Sequence, residues 1–254
     1  MPTTNVLITG ANRGVGLALL KTYLARPNHI VIGSVRDIVA AKSEGLENLP
    51  AAPGSKVILV KIESASFTDP VQAVRALRVH GIIKLDIVIA NAAISGRAVL
   101  PAAEGDAEDF ANILAVNTVG PLALFAATKP LLDHAERPRW VSISSSVASI
   151  ANHEATFAYM GRRPMGFGYG ASKAALNHLT VNLHSENTNI TVIALDPGFL
   201  DTDMGNAGAK IFGLEKPPHH VGDNVKEIVK LVDVATRDTH SGKFLNFEGK
   251  EVPW

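Results

Sequence analysis

Cysteine is absent from this chain of 254 residues. Its absence excludes disulfides, thiolate nucleophiles, iron–sulfur clusters and zinc sites built on cysteine. A charge excess is lacking as well, because 24 lysines and arginines balance 24 aspartates and glutamates. A nucleic-acid-binding protein would usually be basic, so we expect no nucleic-acid partner. We find no signal-peptide pattern and no apolar stretch of membrane-spanning length, and therefore expect a cytoplasmic protein without a membrane partner.

Apolar residues make up 46 % of the chain and charged residues 19 %, enough for a large core. Short β-branched runs alternate with segments that carry apolar residues at helical spacing. The strand-like runs are 6–9, 29–32, 56–60, 85–90, 139–143, 189–194 and 243–247, and the helical segments are 16–26, 70–80, 117–135 and 172–186. This alternation predicts an α/β fold over residues 1–254: one Rossmann-type domain with a doubly wound parallel sheet of about seven strands and helices on both faces.

Two stretches, 152–168 and 198–222, are the least periodic and the richest in Gly and Pro. Both follow predicted strands, so we expect substrate loops at about 146–168 and 199–222, above the carboxyl edge of the sheet. The first would form one wall of a substrate pocket with Phe157, Tyr159, Met160, Met165 and Phe167. The second carries Met204, Ile211, Phe212 and Leu214, and is interpreted as a lid over an apolar substrate or as a packed surface loop.

The first predicted strand leads into a loop with the spacing G-x-x-x-G-x-G, formed by Gly10, Gly14 and Gly16. Glycine lets the backbone turn tightly and approach a pyrophosphate, and the helix N-terminus that follows supplies free N–H groups. The same glycines would also suit a turn with a purely steric purpose. The place of the loop after the first strand favours dinucleotide binding, with further candidate contacts from Asn12, Arg13 and Val15.

The end of the second predicted strand indicates which dinucleotide would bind. NAD sites usually place a carboxylate there, whereas NADP sites need cations for the 2′-phosphate. Val35 stands where that acid is expected, and Arg36 follows it. Arg13 can reach the same phosphate, and a guanidinium suits a phosphate dianion. We therefore expect NADPH; in the alternative interpretation Arg36 and Asp37 begin a solvated helix face and Arg13 is a surface residue.

Tyr169 and Lys173 lie four residues apart at the start of a predicted helix, and therefore on one face of it. A phenol titrates near pH 10, so a tyrosine acid or base at neutral pH needs its pKa lowered by about three units, roughly 4 kcal/mol. A nearby ammonium and a positively charged nicotinamide ring can provide this stabilisation. The alternative is a partly buried tyrosine beside a lysine that reaches solvent.

A run of serines ends the fifth predicted strand at the same sheet edge. Ser145 is the candidate for holding a carbonyl oxygen, because it precedes the turn at Val147. Ser144 and Ser146 are alternatives if the alignment slips by one residue. A serine run at a strand end is also common in ordinary turns.

Taken in chain order, these motifs resemble the short-chain dehydrogenase/reductase family over nearly the whole chain. The matching segments are residues 9–16, 91–93, 117–120, 143–145, 169–173 and 196–198, with Thr202. The stretch 241–254 is similar to a carbonyl-reductase branch that includes insect sniffer-type reductases and fungal ketoreductases of the norsolorinic acid type. Six motifs in the family's order favour membership where one alone would carry little weight.

The resemblance implies a catalytic tetrad of Asn117, Ser145, Tyr169 and Lys173. Tyr169 would protonate the carbonyl oxygen as hydride arrives, and Ser145 would hold that oxygen. Lys173 would hold the cofactor's ribose and depress the pKa of Tyr169, while Asn117 would anchor a water that relays protons. Asn91 would lie near the adenine ribose and Thr202 would touch the nicotinamide amide. The other cofactor contacts implied are Ile62, Glu63, Ala92, Ala93, Pro197 and Gly198.

The chain departs from the family pattern at three places. Lys61 stands where an acid often meets the adenine amine, and Glu63 is the candidate substitute. Ala93 replaces the last glycine of the usual Asn-Ala-Gly turn. Ser145 and Tyr169 are further apart in the chain than in compact members.

We therefore expect an NADPH-dependent carbonyl (keto) reductase that transfers a hydride to a ketone or aldehyde with an apolar or aromatic body. The alternatives are a non-catalytic NADPH-binding sensor or scaffold, and an NAD-dependent alcohol or hydroxysteroid-type dehydrogenase. Neighbouring histidines such as His219 and His220 rarely present both rings to one ion, so we expect no metal. The helices 117–135 and 172–186 are long enough to pair between subunits, which leaves a homodimer, a homotetramer and a monomer open.

Overall fold

The computed structural model describes residues 3–97, 99–164 and 166–254. Seven parallel strands form one sheet in the order β3-β2-β1-β4-β5-β6-β7. The strands are β1 (Thr4–Thr9), β2 (His29–Val35), β3 (Lys56–Lys61), β4 (Ile87–Ala90), β5 (Arg139–Ile143), β6 (Thr191–Asp196) and β7 (Lys243–Asn246). The strand order reverses between β1 and β4, which opens a crevice at their carboxyl ends. The predicted doubly wound fold is confirmed.

Helices cover both faces of this sheet. They are α1 (Gly14–Leu24), α2 (Ile38–Ser43), α3 (Asp69–Val79), α4 (Ala107–Leu114), α5 (Gly120–Leu132), α6 (His153–Tyr159), α7 (Phe167–Glu186), α8 (Asp203–Phe212) and α9 (Val221–Val234). Successive residues of a strand point to opposite faces, so Ile8 of β1 packs with α1 and α9, whereas Leu7 packs with α3 and α5. Two buried apolar layers thus hold the sheet rigidly beneath the crevice.

The two stretches expected to be irregular each contain a helix. In the second, the Thr202 side chain caps α8 by accepting the N–H of Gly205, and Gly213 ends it at φ +72°. Gly205 and Gly208 interrupt the apolar periodicity of this helix. The sequence pattern therefore missed α8, although its cap residues are of the ordinary type.

The helical stretch from Ala107 to Leu132 corrects the expectation that no segment reaches membrane-spanning length. By length and composition it could cross a membrane. In this fold it packs in the layer that covers the sheet beside α3 and α7, and buried residues such as Leu124 and Phe125 join the core. Its apolar character is that of a core helix in an α/β domain.

A π-helical segment, Ala115–Val119, joins α4 to α5 in this stretch. Its wider turn places Asn117 inside the protein, with no exposed surface. π-Turns inside helices are frequently found at functional sites.

Candidate active site

A cavity of about 620 Å³ lies above the carboxyl edge of the sheet and contains nearly every residue singled out from the sequence. One end is formed by the glycine loop and the end of β2, and the other by α7, α8 and the serine run. The predicted residues that line it are Gly10, Asn12, Arg13, Gly14, Val15, Arg36, Ile62, Glu63, Asn91, Ala92, Ala93, Ser145, Tyr169, Lys173, Pro197, Gly198 and Thr202. Gly16 and Asn117 do not line the cavity but contact residues that do: Gly16 packs against Gly10, and Asn117 accepts the N–H of Ile94.

The glycine loop has the geometry of an anion cradle. Gly10 and Gly14 have φ of +65° and +53°, a region that favours glycine. A Cβ on Gly16 would lie 2.1 Å from the Gly10 carbonyl oxygen and 2.7 Å from Nδ2 of Asn91, so only glycine lets α1 pack so closely. No side chain caps the N-terminus of α1, and its first turn carries no acid. Its free N–H groups at Gly14 and Val15 therefore face a cavity that fits a pyrophosphate.

At the end of β2 an arginine lines the cavity, whereas the aspartate next to it does not. Arg36 lines the cavity, whereas Asp37 caps α2 by accepting the N–H groups of Val39 and Ala40. The guanidinium of Arg13 pairs with Asp203 at 3.5 Å, with both side chains exposed. Arg13 thus meets a carboxylate of α8 at the cavity rim, a contact that the sequence did not indicate.

Residues that follow β3 and β4 also line the end of the cavity formed by the glycine loop and β2. Glu63 and the buried Ile62 line it, while the Lys61 ammonium lies 3.6 Å from Asp69, outside the cavity lining. The Asn91 side chain donates to the carbonyl of Thr9 at 2.8 Å, which ties β4 to β1 beneath the loop. The adenine contacts expected from Glu63 and Ile62 stay predictions.

Tyr169 lies in the first turn of α7, and Lys173 follows one turn later. The Lys173 ammonium is 1 % exposed, donates to the carbonyl of Ile143 at 2.7 Å and lies 5.7 Å from the centre of the Tyr169 ring. Burial lowers the pKa of Lys173 to about 7. The expected contact between the two side chains is therefore present.

The pKa of Tyr169 moves in the direction opposite to the one expected. Burial first, and then the charge of Asp196, raise this pKa to about 12, although a hydrogen bond with Ser145 acts to lower it. The pKa of Lys173 is itself lowered to about 7, so its amine carries a full positive charge in only about half of the molecules at neutral pH and does not offset these two effects. In the protein alone Lys173 therefore does not lower the phenol pKa, and the lowering expected with a positively charged nicotinamide ring bound stays a prediction.

The three serines point to three different partners. Ser145 interacts with Tyr169. The buried Ser144 hydroxyl donates to Oδ1 of Asn177 at 2.6 Å, and Ser146 lies close enough to Asp196 to lower the pKa of its carboxyl. Of the three, only Ser145 is thus seen to interact with Tyr169, and its role as the carbonyl-holding hydroxyl stays a prediction.

Both side-chain N–H groups of Asn117 donate hydrogen bonds within the protein. Its Nδ2 donates to the carbonyl of Ile94 at 2.9 Å and to the Ser172 hydroxyl at 3.0 Å, while its Oδ1 accepts the N–H of Ile94. Both amide protons are used, so its side chain fixes the loop after β4 against α7. A water relay at this position stays a prediction.

The turn after β6 closes the inner end of the cavity. Gly198 has φ +87°, and the carbonyl of Pro197 accepts a hydrogen bond from Asn224 of α9. The Thr202 hydroxyl accepts the N–H of Gly205 and keeps its own proton for donation. A contact from Thr202 to a nicotinamide amide therefore remains compatible with its capping role.

The substrate end of the cavity is mostly apolar. The apolar residues here are Val99, Val116, Val147, Met160, Phe199, Leu200, Met204 and Phe212, and the polar ones are Ser95 and Asn112. Met160 is thus placed as expected. The expected wall is wrong for Phe157, Tyr159 and Phe167, which do not line this cavity, and Met165 lies outside the described residues.

The second loop contributes through α8. Met204 and Phe212 line the cavity, whereas Ile211 and Leu214 do not. Arg163 donates to the carbonyl of Ile211 at 2.9 Å and so joins the two substrate loops. Among the residues that the structure describes, no group of three or more potential metal ligands occurs at the two histidines or elsewhere.

Comparison with known proteins agrees with this geometry. A family model described as short chain dehydrogenase matches residues 4–210. The chain belongs to the short-chain dehydrogenase/reductase family. It is accordingly an oxidoreductase, and the nicotinamide cofactor of its family fits the cradle described above.

Individual relatives match this short-chain dehydrogenase/reductase over nearly its whole length. A short-chain dehydrogenase of Neurospora crassa is 43 % identical, with 99 % of this chain and 98 % of the relative covered. A norsolorinic acid ketoreductase of Dothistroma septosporum is 38 % identical over 99 % and 92 %. An NADPH-bound carbonyl reductase from chicken fatty liver has a TM-score of 0.85 and 27 % identity, with 100 % and 95 % covered. The resemblance to the ketoreductase branch is confirmed.

Asp196 is a residue of this short-chain dehydrogenase/reductase to which the sequence assigned no role. In the sequence it is part of the family motif at residues 196–198. In the structure it lines the cavity, is 8 % exposed and acts on the pKa of Tyr169. Its place at the end of a buried strand was the one available signal, because carboxylates are seldom buried without a partner.

Proposed function

We propose that this short-chain dehydrogenase/reductase is an NADPH-dependent carbonyl reductase that reduces a ketone or aldehyde on an apolar or aromatic body. One observation carries the proposal: Tyr169, Ser145 and Lys173 meet in the same cavity as the glycine loop and Arg36. A single cavity therefore offers an anion cradle, cations and a proton donor. The names of the ketoreductase and carbonyl reductase relatives support the same reaction.

The cofactor preference rests on the end of β2. Arg36 and Arg13 supply positive charge there, and Asp37 is committed to capping α2. A 2′-phosphate would gain charge-assisted hydrogen bonds from these guanidiniums. An NAD site would need a carboxylate at the place that Val35 occupies. When bound, the cofactor would supply the hydride.

The protein's own groups would handle the carbonyl oxygen. Tyr169 is protonated at neutral pH because its pKa is raised to about 12, so it is suited to donate a proton as the oxygen gains charge. The Ser145 hydroxyl would donate a second hydrogen bond to the same oxygen and hold it beside the phenol. Beyond its bond to the carbonyl of Ile143, the Lys173 side chain keeps one N–H as a neutral amine and two when protonated, and these suit the ribose hydroxyls.

The substrate class follows from the walls around Tyr169. Apolar side chains from the first substrate loop and from α8 line the same cavity, represented by Met160, Met204 and Phe212. Lys173 of α7 is buried and donates to the carbonyl of Ile143, and the described lining residues of the first substrate loop and α8 include no lysine or arginine, so a carboxylate or phosphate on the substrate body would lack a counter-ion. We therefore expect neutral ketones with a hydrocarbon or aromatic body to be preferred.

The deciding experiment measures NADPH consumption by the purified chain with a panel of aromatic ketones, diketones and aldehydes, with NADH in parallel. Turnover with NADPH and little with NADH supports the proposal. The variant Tyr169→Phe should keep cofactor affinity and lose turnover, since the phenol proton is gone while the ring remains. Full turnover by Tyr169→Phe would refute the assigned donor. NADPH binding without turnover of any compound would favour the sensor.

We also propose that the chain pairs with a second copy through α5. The outward face of this helix is apolar, with Leu122 46 % exposed and Val119, just before α5, 37 % exposed, followed by the exposed Ala126 and Pro130. A continuous exposed apolar stripe is a usual feature of a protein interface. Sedimentation equilibrium tests this: the wild type should be a dimer or tetramer, and Leu122→Glu should shift it towards monomer.

A further inference from the structure

A second, smaller cavity adjoins the large cavity that contains Tyr169. Its volume is about 160 Å³, and its described lining is drawn from residues 95–113 and 166–168. These segments belong to the loop after β4, to α4 and to the start of α7. Ser95 and Gly166 line both cavities, so the two spaces meet at these residues. We call the smaller one the side pocket.

The side pocket has room for one aromatic ring. The apolar side chains among its described lining residues are Leu100, Phe110, Ile113 and Phe167. The rings of Phe110 and Phe167 meet edge to face with their centres 5.5 Å apart, and Ile113 is 4 % exposed. An apolar protein cavity of about 150 Å³ with walls of this kind binds benzene. The side pocket therefore matches a six-membered ring in both size and chemistry.

Gly166 lies where the two cavities meet and has no side chain to separate them. A Cβ built there would lie 3.6 Å from Cγ2 of Val99, which lines the large cavity. Gly166 has φ +70°, a region that favours glycine, so a larger residue at this junction is disfavoured. Tyr169 follows three residues later, in the first turn of α7. A substrate whose carbonyl lies at Tyr169 can therefore extend a substituent past Gly166.

The shape of the side pocket is fixed by hydrogen bonds between the loop after β4 and α4. Arg97 donates its backbone N–H to Oδ2 of Asp109 at 2.9 Å, and its guanidinium donates to Asp109 at 3.3 Å and to Asp106 at 2.8 Å. Asp109 is 8 % exposed, and Asp106 also caps α4. A pocket that is already formed spends little binding free energy on becoming ordered. Contacts made in it therefore contribute to affinity.

Building on the proposed reductase activity, we propose that the side pocket is a subsite for a second ring of the substrate. The reacting carbonyl lies at Tyr169 in the large cavity, and a ring attached to its body enters the side pocket past Gly166. The substrate class narrows accordingly from apolar or aromatic ketones to neutral ketones with at least two rings. A pocket that holds only water, and one that takes an unrelated small molecule, are the alternatives that the experiment separates.

The test changes the side pocket at residues that do not line the large cavity. Phe110→Ala removes an aromatic wall, and Leu100→Trp fills space from the loop after β4. The matched controls are Phe67→Ala and Val79→Trp, because Phe67 is 66 % exposed, Val79 is 88 % exposed, and neither lines either cavity. If Phe110→Ala does not fold, Leu100→Trp takes its place.

Two readouts distinguish this proposal from the proposed function. The first is the Kd of acetophenone and of its ortho-, meta- and para-phenyl derivatives, measured by isothermal titration calorimetry without cofactor and with NADP⁺. No ketone is reduced under these conditions, so binding alone is measured. The second is the ratio of kcat/KM for the same ketones with NADPH. If the wild type binds the ketones but reduces none of them, the reductase assignment fails while the calorimetry still tests the subsite.

At least one phenyl derivative should bind the wild type about tenfold more tightly than acetophenone, because its second ring is buried. Phe110→Ala and Leu100→Trp should each weaken that derivative at least about fivefold and change the Kd of acetophenone by less than about twofold. The ratio of kcat/KM should fall in parallel, and both ratios should stay at the wild-type value in the two controls.

Three results would overturn the subsite. The first is a wild type that binds no phenyl derivative more tightly than acetophenone. The second is a ratio of the two Kd values that Phe110→Ala leaves unchanged, which would mean that the second ring lies elsewhere and the side pocket holds water. The third is an equal fall of this ratio in Phe67→Ala.

Discussion

Replacement of Arg36 by alanine should change the cofactor preference of the site. Arg36 is exposed, lines the cavity, and forms no ion pair within the described part of the chain. Its guanidinium is therefore free to meet a 2′-phosphate, a group that NADH lacks. The neighbouring Asp37 stays bound to the N-terminus of α2, so no carboxylate takes the place of the lost cation.

The size of the effect follows from the kind of contact. A hydrogen bond to a charged group contributes about 1.5–3 kcal/mol, and exposure of Arg36 favours the lower half of that range. Because about 1.4 kcal/mol corresponds to a tenfold change, the Kd for NADPH should rise roughly 10- to 50-fold. The Kd for NADH should change by less than about twofold, because no bond to it is lost.

Arg13→Ala should have a smaller effect on NADPH affinity. Arg13 must leave Asp203 to reach a phosphate, and an exposed ion pair of this kind contributes less than about 1 kcal/mol. Asp203→Asn should accordingly strengthen NADPH binding slightly.

Equilibrium fluorescence titration of both cofactors, at low and high salt, measures these constants. The control is Lys42→Ala, which removes a cation on α2 that pairs with Glu47 outside the cavity lining. It should leave both constants within twofold of the wild type, apart from a general salt effect. Equal losses of NADPH and NADH affinity in Arg36→Ala would refute the assignment of this arginine to the phosphate.

Three further predictions concern other parts of the site. Without cofactor, the free energy of unfolding of the wild type should rise relative to that of Lys173→Met as the pH increases from about 7 to 10.5. In this range the folded state binds fewer protons at Lys173 than the unfolded chain does. Parallel curves of Tm against pH for the two proteins would contradict this. Ser145→Ala should lower kcat about 100-fold and leave the Tm unchanged. Ser144→Ala should instead lower the Tm by a few degrees, because it leaves Asn177 without its buried hydrogen-bond partner. The reverse pattern would assign the contact with the substrate carbonyl to Ser144. Arg163→Ala should raise the substrate KM several-fold by releasing α8. Arg162→Ala, which loses a pair with Glu154 and a contact with the Phe157 ring but no bond to α8, should not. Equal KM values would show that Arg163 does not hold α8.

The fold was predictable because its signals are local and repeated. Buried strands such as β6 consist of apolar runs, and the glycines at positions 10 and 14 mark a turn that other residues rarely adopt. Most site residues were predictable for the same reason, because parallel strands bring their carboxyl ends to one edge of the sheet.

The errors concern properties that depend on three-dimensional surroundings. The spacing of Tyr169 and Lys173 predicted a lysine that lowers the pKa of Tyr169 together with a bound nicotinamide ring, but in the protein alone this pKa is raised by burial and by Asp196, which are properties of the packed cavity. The aromatic residues of the first loop, such as Tyr159, were expected to line the pocket because of their type alone. Their direction depends on α6, and Tyr159 is 72 % exposed.

The π-turn between α4 and α5 limits how the length of this helix can evolve. A π-turn adds one residue to an α-helical path, which offsets the two flanking helices by about 100° around their common axis. Asn112 and Val116 line the cavity on one side of the offset, while Leu124 packs against the sheet on the other. Deletion of one residue from Ala115–Val119 would keep the direction of the cavity wall but remove the wider turn that buries Asn117, and insertion of a further residue into a regular turn would rotate the wall by about 100°. Natural variation in chain length should therefore be tolerated in the loops around α6 and α8, and not at this point.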